Sequence, residues 1–207
     1  GLSIILRPAA YICAEWDFGG LPAWLIKDRN LRVRSQDKAF MKHVEDYYSV
    51  LLPKVSRFQH TEGGNILMMQ IENEYGSFGE DHEYVRQTAL LMVKYGVNVP
   101  LFTSDGGWPE VLNSGALAMD GVLATANFGS NAEENFGHLD DYHKKHGLDY
   151  PLMCMEFWDG WFNNWNKERI VRDPKETADE VREVLKYGSI NFYMFQGGTN
   201  FGFYSGS

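Results

Sequence analysis

Two glutamates, Glu74 and Glu156, each follow a short apolar run and stand among aromatic residues and glycines, in segments 65–76 and 151–161. A carboxylate at the end of a buried strand costs free energy to desolvate unless it is paired or hydrogen-bonded. Two such carboxylates, framed by rings that can stack on a sugar, indicate cleavage of a glycosidic bond by one acid and one nucleophile. The elements that carry them must bring two distant parts of the chain together.

Strand-like and helix-like patterns alternate along the 207 residues. Apolar runs predict six strands, over 3–6, 65–71, 99–103, 122–126, 152–155 and 190–195. Helical spacing and capping residues predict helices over 37–51, 81–95, 108–114, 132–146 and 174–187. This alternation indicates an α/β protein whose strands are parallel and joined by right-handed crossovers.

Two architectures fit this order of elements, an open doubly wound sheet and a (β/α)8 TIM barrel. Glu74 and Glu156 end the second and the fifth predicted strands. In an eight-stranded barrel, strands three apart lie nearly opposite each other, so both side chains converge on the C-terminal face. In an open sheet, strands three apart need not approach each other. A paired function of the two glutamates therefore favours the barrel.

Composition and charge narrow the class of protein. The hydrophobic fraction of 44% supports a substantial core, and the net charge of −9 disfavours nucleic acid and anionic membranes as partners. No apolar run is long enough to span a bilayer.

Cys13 and Cys154 make no disulfide framework and are predicted to be buried small hydrophobic residues. Unpaired cysteines and the lack of a visible signal segment slightly favour a cytoplasmic location.

Other polar residues near the strand ends are predicted to support the site rather than to react. Glu72 is predicted to share a strand face with Glu74, one layer deeper, with Arg7 as its counter-charge. Segment 105–107, Asp-Gly-Gly, is predicted to be a turn at a strand end that lines the site.

A cluster of three histidines invites a metal hypothesis. His138, His143 and His146 lie on one charged helix, for which a solvated surface is the better interpretation. Neither a metal nor an organic cofactor is predicted.

Four sequence blocks resemble glycoside hydrolase family 35, the family of barrel β-galactosidases. They cover 5–25, 70–76, 155–161 and 193–202, in the family's order. The resemblance implies a TIM barrel of which this chain covers strands three to eight. Residues 1–207 are accordingly expected to be a catalytic domain that is incomplete at its N-terminus, with the family's C-terminal β-sandwich domains absent.

The resemblance also implies roles for individual residues. Glu74 corresponds to the general acid/base on the fourth barrel strand and Glu156 to the nucleophile at the end of the seventh. The acid must have a raised pKa, through burial and through its charged neighbour. Five substrate-binding residues are implied: Ala14, Glu15, Asn73, Trp158 and Tyr193. Trp161, close to Glu156, is with Trp158 the best candidate for stacking on a sugar.

The predicted activity is a retaining exo-β-galactosidase that removes terminal β-D-galactose from oligosaccharides. Two alternatives remain open. One is a truncated, non-catalytic galactoside-binding module, and the other is a related carboxylate-dependent barrel glycosidase such as a β-glucosidase or a mannanase. The predicted partners are a β-galactoside oligosaccharide and, on the protein side, either a second copy or the missing N-terminal part of the barrel.

Overall fold

A parallel six-stranded sheet forms the centre of the computed structural model, which describes residues 1–164, 166–197 and 202. The strands are β1 Ile4–Leu6, β2 Ile66–Asn73, β3 Leu101–Gly106, β4 Val122–Phe128, β5 Met153–Trp158 and β6 Ser189–Tyr193. Each strand pairs in parallel with the next one along the chain. The predicted α/β class with parallel strands is confirmed.

One α-helix connects each pair of neighbouring strands. The helices are α1 Lys38–Ser56, α2 His82–Lys94, α3 Pro109–Gly115, α4 Ala132–Lys145 and α5 Pro174–Tyr187. Short 3₁₀ helices cover Asp17–Gly20, Ala23–Lys27, His60–Glu62 and Tyr75–Ser77. Asp37 and Asp173 accept hydrogen bonds from backbone N–H groups at the starts of α1 and α5, which fixes where these helices begin. Within the described residues, no helix has the length and apolar character needed to cross a membrane.

The sheet is curled, as a contact between its last strand and the loop after its first strand indicates. Tyr193 of β6 lies 3.4 Å, Oη to Oε2, from Glu15, in the loop after β1. Neighbouring strands are about 4.8 Å apart, so six strands in a flat sheet would separate β1 from β6 by roughly 24 Å. The sheet must therefore bend round on itself, as in a barrel. The predicted TIM-barrel architecture is confirmed, and the open doubly wound sheet is excluded.

Three apolar clusters reflect the two faces of the curled sheet. Two large clusters combine strand residues with buried residues of the helices, such as Leu139 of α4. The third contains Phe102, Leu123 and Met155 from three successive strands and no buried residue from a helix. It therefore fills the concave side of the sheet, beneath the C-terminal ends of the strands.

Some boundaries differ from the prediction. Helix α1 continues to Ser56 and contains Pro53, whereas the sequence predicts that the helix ends at residue 51. Strand β3 begins at Leu101 rather than at residue 99, because Pro100 has no N–H to donate to the ladder. The strand also continues through Asp105, so the predicted turn at 105–107 begins later than expected. On α5, Val184 is fully buried, whereas its neighbour Leu185 is 60% exposed.

Leu139 and Leu185 allow a matched test of the core. Leu139 is fully buried, so Leu139→Ala should lower the free energy of unfolding by about 2–5 kcal/mol. Leu185→Ala, the same substitution at an exposed site, should change it by less than about 0.5 kcal/mol. Urea unfolding followed by circular dichroism measures both. Equal losses would mean that the α5 surface is covered in the folded protein.

Candidate active site

A cavity of about 510 Å³ opens at the C-terminal ends of the strands. It contains all seven site residues predicted from the sequence: Ala14, Glu15, Asn73, Glu74, Glu156, Trp158 and Tyr193. Arg7, Gln70 and Trp161 also line it. Four segments contribute, namely the loop after β1 and the ends of β2, β5 and β6. The curvature of the sheet thus brings residues from both ends of the chain into one cavity.

Glu156 lies within β5 and is held at both carboxylate oxygens. Arg7 Nη2 is 2.6 Å from Oε1, and Trp158 Nε1 donates a hydrogen bond to Oε2 at 3.2 Å. Arg7 is itself oriented by Gln70, whose Oε1 accepts a hydrogen bond from Arg7 Nε. Because a guanidinium remains charged, Glu156 has a permanent cation beside it. The prediction that Arg7 pairs with Glu72 is wrong.

Glu74 follows β2 directly and has a left-handed backbone, with φ 46° and ψ 44°. Asn127 Nδ2 donates a hydrogen bond to Glu74 Oε1 at 3.0 Å, and Ser104 Oγ donates to Asn127 Oδ1 at 2.5 Å. Burial raises the pKa of the Glu74 carboxyl, the bond from Asn127 opposes this shift, and the charge of Glu156 adds to it. The net direction is upward, as expected from the sequence.

Asn127 lies beside Glu156 in the sheet and bonds the carboxyl group of Glu74. On β4 it is in register with Glu156 of the neighbouring strand β5, while its side chain bonds Glu74. Sequence reasoning missed both Asn127 and Ser104. The available signal was a polar residue near the C-terminal end of each of two neighbouring strands, where parallel strands place their functional groups.

Glu72 forms a buried ion pair on the helix side of the sheet. Arg34 donates to its two oxygens through Nε and Nη2, each at 2.9 Å, and Tyr84 of α2 donates at 3.2 Å. The ladder between β2 and β3 is irregular between Gln70 and Asn73, which breaks the simple alternation of faces. The predicted position of Glu72, below Glu74 on the same face, is therefore wrong.

Arg34 extends this ion pair into a larger support for the site. Its Nη2 also donates to the carbonyl of Asn73 at 2.7 Å, one residue before Glu74. Its guanidinium carbon lies 3.7 Å from the ring centroid of Tyr11 and 4.3 Å from that of Phe78. Arg34 thus connects the loop after β1 with the chain on both sides of Glu74.

The loop after β1 presents polar atoms to the cavity through an unusual backbone. Cys13, Ala14 and Glu15 have positive φ angles of 60°, 53° and 51°. Cys13 is half-buried and lines the cavity, so only Cys154 fits the prediction of a buried cysteine. Burial raises the pKa of the Glu15 carboxyl, the hydrogen bond from Tyr193 opposes this, and the charge of Glu156 adds to it.

An aromatic wall closes the side of the cavity beyond Glu156. Trp158 and Trp161 meet edge to face, with ring centroids 5.4 Å apart. The Trp161 side chain is 51% exposed, which leaves area for contact with a ligand. Trp165 and residues 198–201 of the last sequence block lie outside the described residues.

The three histidines do not converge, although His138 and His143 lie in α4 and His146 follows it directly. His143 is buried with Nε2 3.1 Å from the carbonyl oxygen of Ala124, so its predicted location on a solvated surface is wrong. His138 Nδ1 lies 2.9 Å from the carbonyl oxygen of Gly107. Among the described residues, no group of three or more histidine, cysteine or acidic side chains is arranged to hold a metal ion.

Comparison with known proteins decides the family. The model of glycosyl hydrolases family 35 matches residues 1–207. The chain belongs to glycosyl hydrolase family 35. Over its full length it is 41% identical to beta-galactosidase-1-like protein 3 of Homo sapiens and 41% identical to a beta-galactosidase of Xanthomonas manihotis. Beta-galactosidase 8 of Oryza sativa subsp. japonica is 38% identical over 99% of the chain. The chain spans 31%, 34% and 31% of these three relatives, respectively.

Solved structures support the fold of this family 35 chain. An endoglucanase from Pseudomonas stutzeri matches 98% of the chain and 63% of its own length, with a TM-score of 0.55 and 14% identity. A beta-galacturonidase from Eisenbergiella tayi matches 77% of the chain and 30% of its own length, with a TM-score of 0.51 and 13% identity. At such low identity the likeness concerns the fold alone.

The Arg34–Glu72 pair should behave as a buried ion pair. Arg34→Met leaves the Glu72 carboxylate without its cation and should lower the free energy of unfolding by about 3–5 kcal/mol. Adding Glu72→Leu removes the stranded charge and should recover much of that loss. Urea unfolding of the single and double variants measures the coupling.

The exposed pair between Lys175 and Asp179 is the matched control. Because water and salt screen such a pair, Lys175→Met should leave the unfolding midpoint unchanged. A double variant at residues 34 and 72 that is as unstable as Arg34→Met alone would contradict the proposed importance of this pair.

Proposed function

We propose that this chain contains the catalytic centre of a retaining exo-β-galactosidase, with Glu156 as nucleophile and Glu74 as general acid/base. The observation that carries the proposal is the difference between two carboxyl groups of one cavity. Glu156 has a guanidinium within ion-pair distance, whereas the pKa of Glu74 is raised by burial and by the charge of Glu156. One carboxylate ready to attack and one protonated carboxyl are what a double displacement requires.

The first chemical step forms a bond between Glu156 and the anomeric carbon of the sugar. The bond from that carbon to the aglycone oxygen breaks, and Glu74 gives its proton to the departing oxygen. In the second step Glu74 takes a proton from water, which attacks the anomeric carbon. The bond to Glu156 breaks, and galactose leaves with its original anomeric configuration.

The remaining cavity residues suit recognition of a neutral sugar. Asn73, Glu15 and Tyr193 supply hydrogen-bonding groups, and the chain at Ala14 presents backbone atoms beside them. Trp158 supplies an aromatic surface next to Glu156. The choice of galactose rests on the names of the relatives, and the chain spans only about a third of their length.

The proposal is tested by activity and by trapping of the intermediate. The protein should hydrolyse a chromogenic β-galactoside faster than the matching β-glucoside and β-mannoside. A 2-deoxy-2-fluoro-β-galactoside with a good leaving group should add one sugar to Glu156. The fluorine slows both chemical steps, but the good leaving group keeps the first step fast, so the covalent intermediate accumulates. Peptide mass spectrometry locates the label.

Glu15→Gln is the control, since it removes another carboxylate from the same cavity. It should still be labelled at Glu156, at a lower rate, whereas Glu156→Gln should not be labelled. A label on Glu15 or Glu74 would refute the assignment. Galactose binding without hydrolysis of any substrate would favour a non-catalytic module, and a faster glucoside or mannoside would favour a different glycosidase.

The role of Glu74 predicts a dependence on the leaving group. Glu74→Ala should reduce turnover of natural disaccharides far more than that of a dinitrophenyl galactoside, which needs little proton donation. Added azide should restore turnover of the activated substrate, because a small anion can attack the intermediate without a general base. In the unaltered protein, kcat/KM should fall as pH rises through the raised pKa of Glu74, since the acid must be protonated.

This alkaline decline should disappear in Glu74→Ala, with rates measured on the dinitrophenyl substrate across the pH range. Equal losses on both substrates, without azide rescue, would assign Glu74 a structural role.

A further inference from the structure

Asp105 is a buried acid that the proposed mechanism does not use. It lies in β3, is 1% exposed and is absent from the lining of the cavity that holds Glu74 and Glu156. A buried carboxyl group costs free energy unless its oxygens are hydrogen-bonded. Its hydrogen bond with the main chain is informative, because the donor belongs to the chain segment that carries Glu74.

Strand β3 holds this segment at two points. Asp105 Oδ1 accepts a hydrogen bond from the backbone N–H of Gly76 at 2.7 Å. The carbonyl oxygen of the preceding residue, Ser104, accepts one from the N–H of Glu74 at 3.1 Å. The turn from 74 to 76 is therefore fixed to β3 at both ends, by one main-chain bond and by the Asp105 side chain.

Glycines allow the close approach that this arrangement needs. A Cβ atom on Gly76 would lie 2.1 Å from the carbonyl oxygen of Val111 in α3. A Cβ atom on Gly115 would lie 2.1 Å from Asp105 Oδ1 and 2.3 Å from the nitrogen of Gly76. The turn, the carboxyl group and the end of α3 are thus packed directly against one another, which leaves the turn little room to shift.

The conformation of Glu74 explains why such a constraint is needed. Its φ of 46° lies in the left-handed region, which a residue with a side chain adopts only when its surroundings enforce it. A turn released from β3 would relax, and the Glu74 carboxyl group would move away from Asn127. A displacement of about 1 Å at a catalytic group can cost roughly a hundredfold in rate.

We propose that Asp105 is a positioning residue, which holds the turn after β2 through the N–H of Gly76 and thereby aims the Glu74 carboxyl group into the cavity. This inference rests on the proposed role of Glu74. What the turn requires from Asp105 is an acceptor oxygen. Burial raises the pKa of Asp105 to about 7, the bond from Gly76 opposes this, and the charges of Glu72 and Glu74 add to it. Both the ionised and the protonated carboxyl group offer an oxygen that can accept.

The acceptor requirement leads to a pair of test variants. Asp105→Asn keeps an acceptor oxygen at the same place and should retain turnover within about threefold of the unaltered protein, since the bond to Gly76 persists. Asp105→Ala removes the acceptor. It should lower turnover of a natural disaccharide by about a hundredfold, with a much smaller loss on a dinitrophenyl galactoside. Inhibition by galactose should be little changed, because the sugar contacts remain.

Thr125→Val is the matched control for a general loss of packing. Thr125 is fully buried on β4, and its hydroxyl donates to the carbonyl oxygen of Thr103 rather than to the turn. It should lose stability without any change in the ratio of rates on the two substrates. A ratio that shifts equally in Thr125→Val and Asp105→Ala would overturn the proposal.

A second measurement does not depend on activity. Hydrogen exchange followed by NMR should show loss of protection at the Gly76 amide in Asp105→Ala, and retained protection in Asp105→Asn and Thr125→Val. An unchanged Gly76 amide in Asp105→Ala would show that Asp105 does not hold the turn.

The exchange and activity results together separate the possible outcomes. If the turn loosens while a hydrolytically active Asp105→Ala keeps the original substrate ratio, Asp105 does not position Glu74. If no variant and no unaltered protein hydrolyses a galactoside, the proposed function has failed, and the exchange data alone decide whether Asp105 holds the turn.

Discussion

The proposed mechanism requires two carboxyl groups of one cavity to differ in charge at the same pH. Like charges at short range oppose ionisation of both groups, so the protein has to favour a different state at each. The structure gives the two groups unequal partners. Glu156 faces the charged guanidinium of Arg7, whereas Glu74 accepts a hydrogen bond from the neutral side-chain amide of Asn127. The charge of Glu156 then raises the pKa of Glu74, so a negative charge on Glu156 favours the protonated form of Glu74.

This electrostatic arrangement depends on the end of β2, which Glu74 follows directly. On the helix side of the sheet, Arg34 donates hydrogen bonds to the Glu72 carboxylate and to the carbonyl oxygen of Asn73. A buried ion pair contributes little net stability compared with apolar residues of the same size, but it is strongly directional and costly to break. Its value here lies in fixing the position of the chain one residue before Glu74.

The sequence predicted those features of the fold that follow from local patterns. Apolar periodicity located six strands and five helices, and the strand-end positions of Glu74 and Glu156 favoured the barrel. The partners of the charged groups were not predictable in the same way. Arg7 was assigned to Glu72 by strand alternation, but the irregular ladder after Gln70 turns Glu72 towards Arg34 and leaves Arg7 for Glu156. Pairing across distant segments depends on such irregularities, which local patterns do not encode.

The curvature of the sheet is the remaining condition for the site. β3 and β4 are buried along their whole length, whereas β1 and β6 are largely exposed or only partly buried. The contact between Glu15 and Tyr193 joins the loop after β1 to β6. A ligand that touches both side chains binds the curled sheet more tightly than a flattened one, and binding to one state stabilises that state by mass action. Occupancy of the cavity and curvature of the sheet are therefore linked, and a ligand bound to Glu15 and Tyr193 would favour the same geometry that places Glu74 and Glu156 in one cavity.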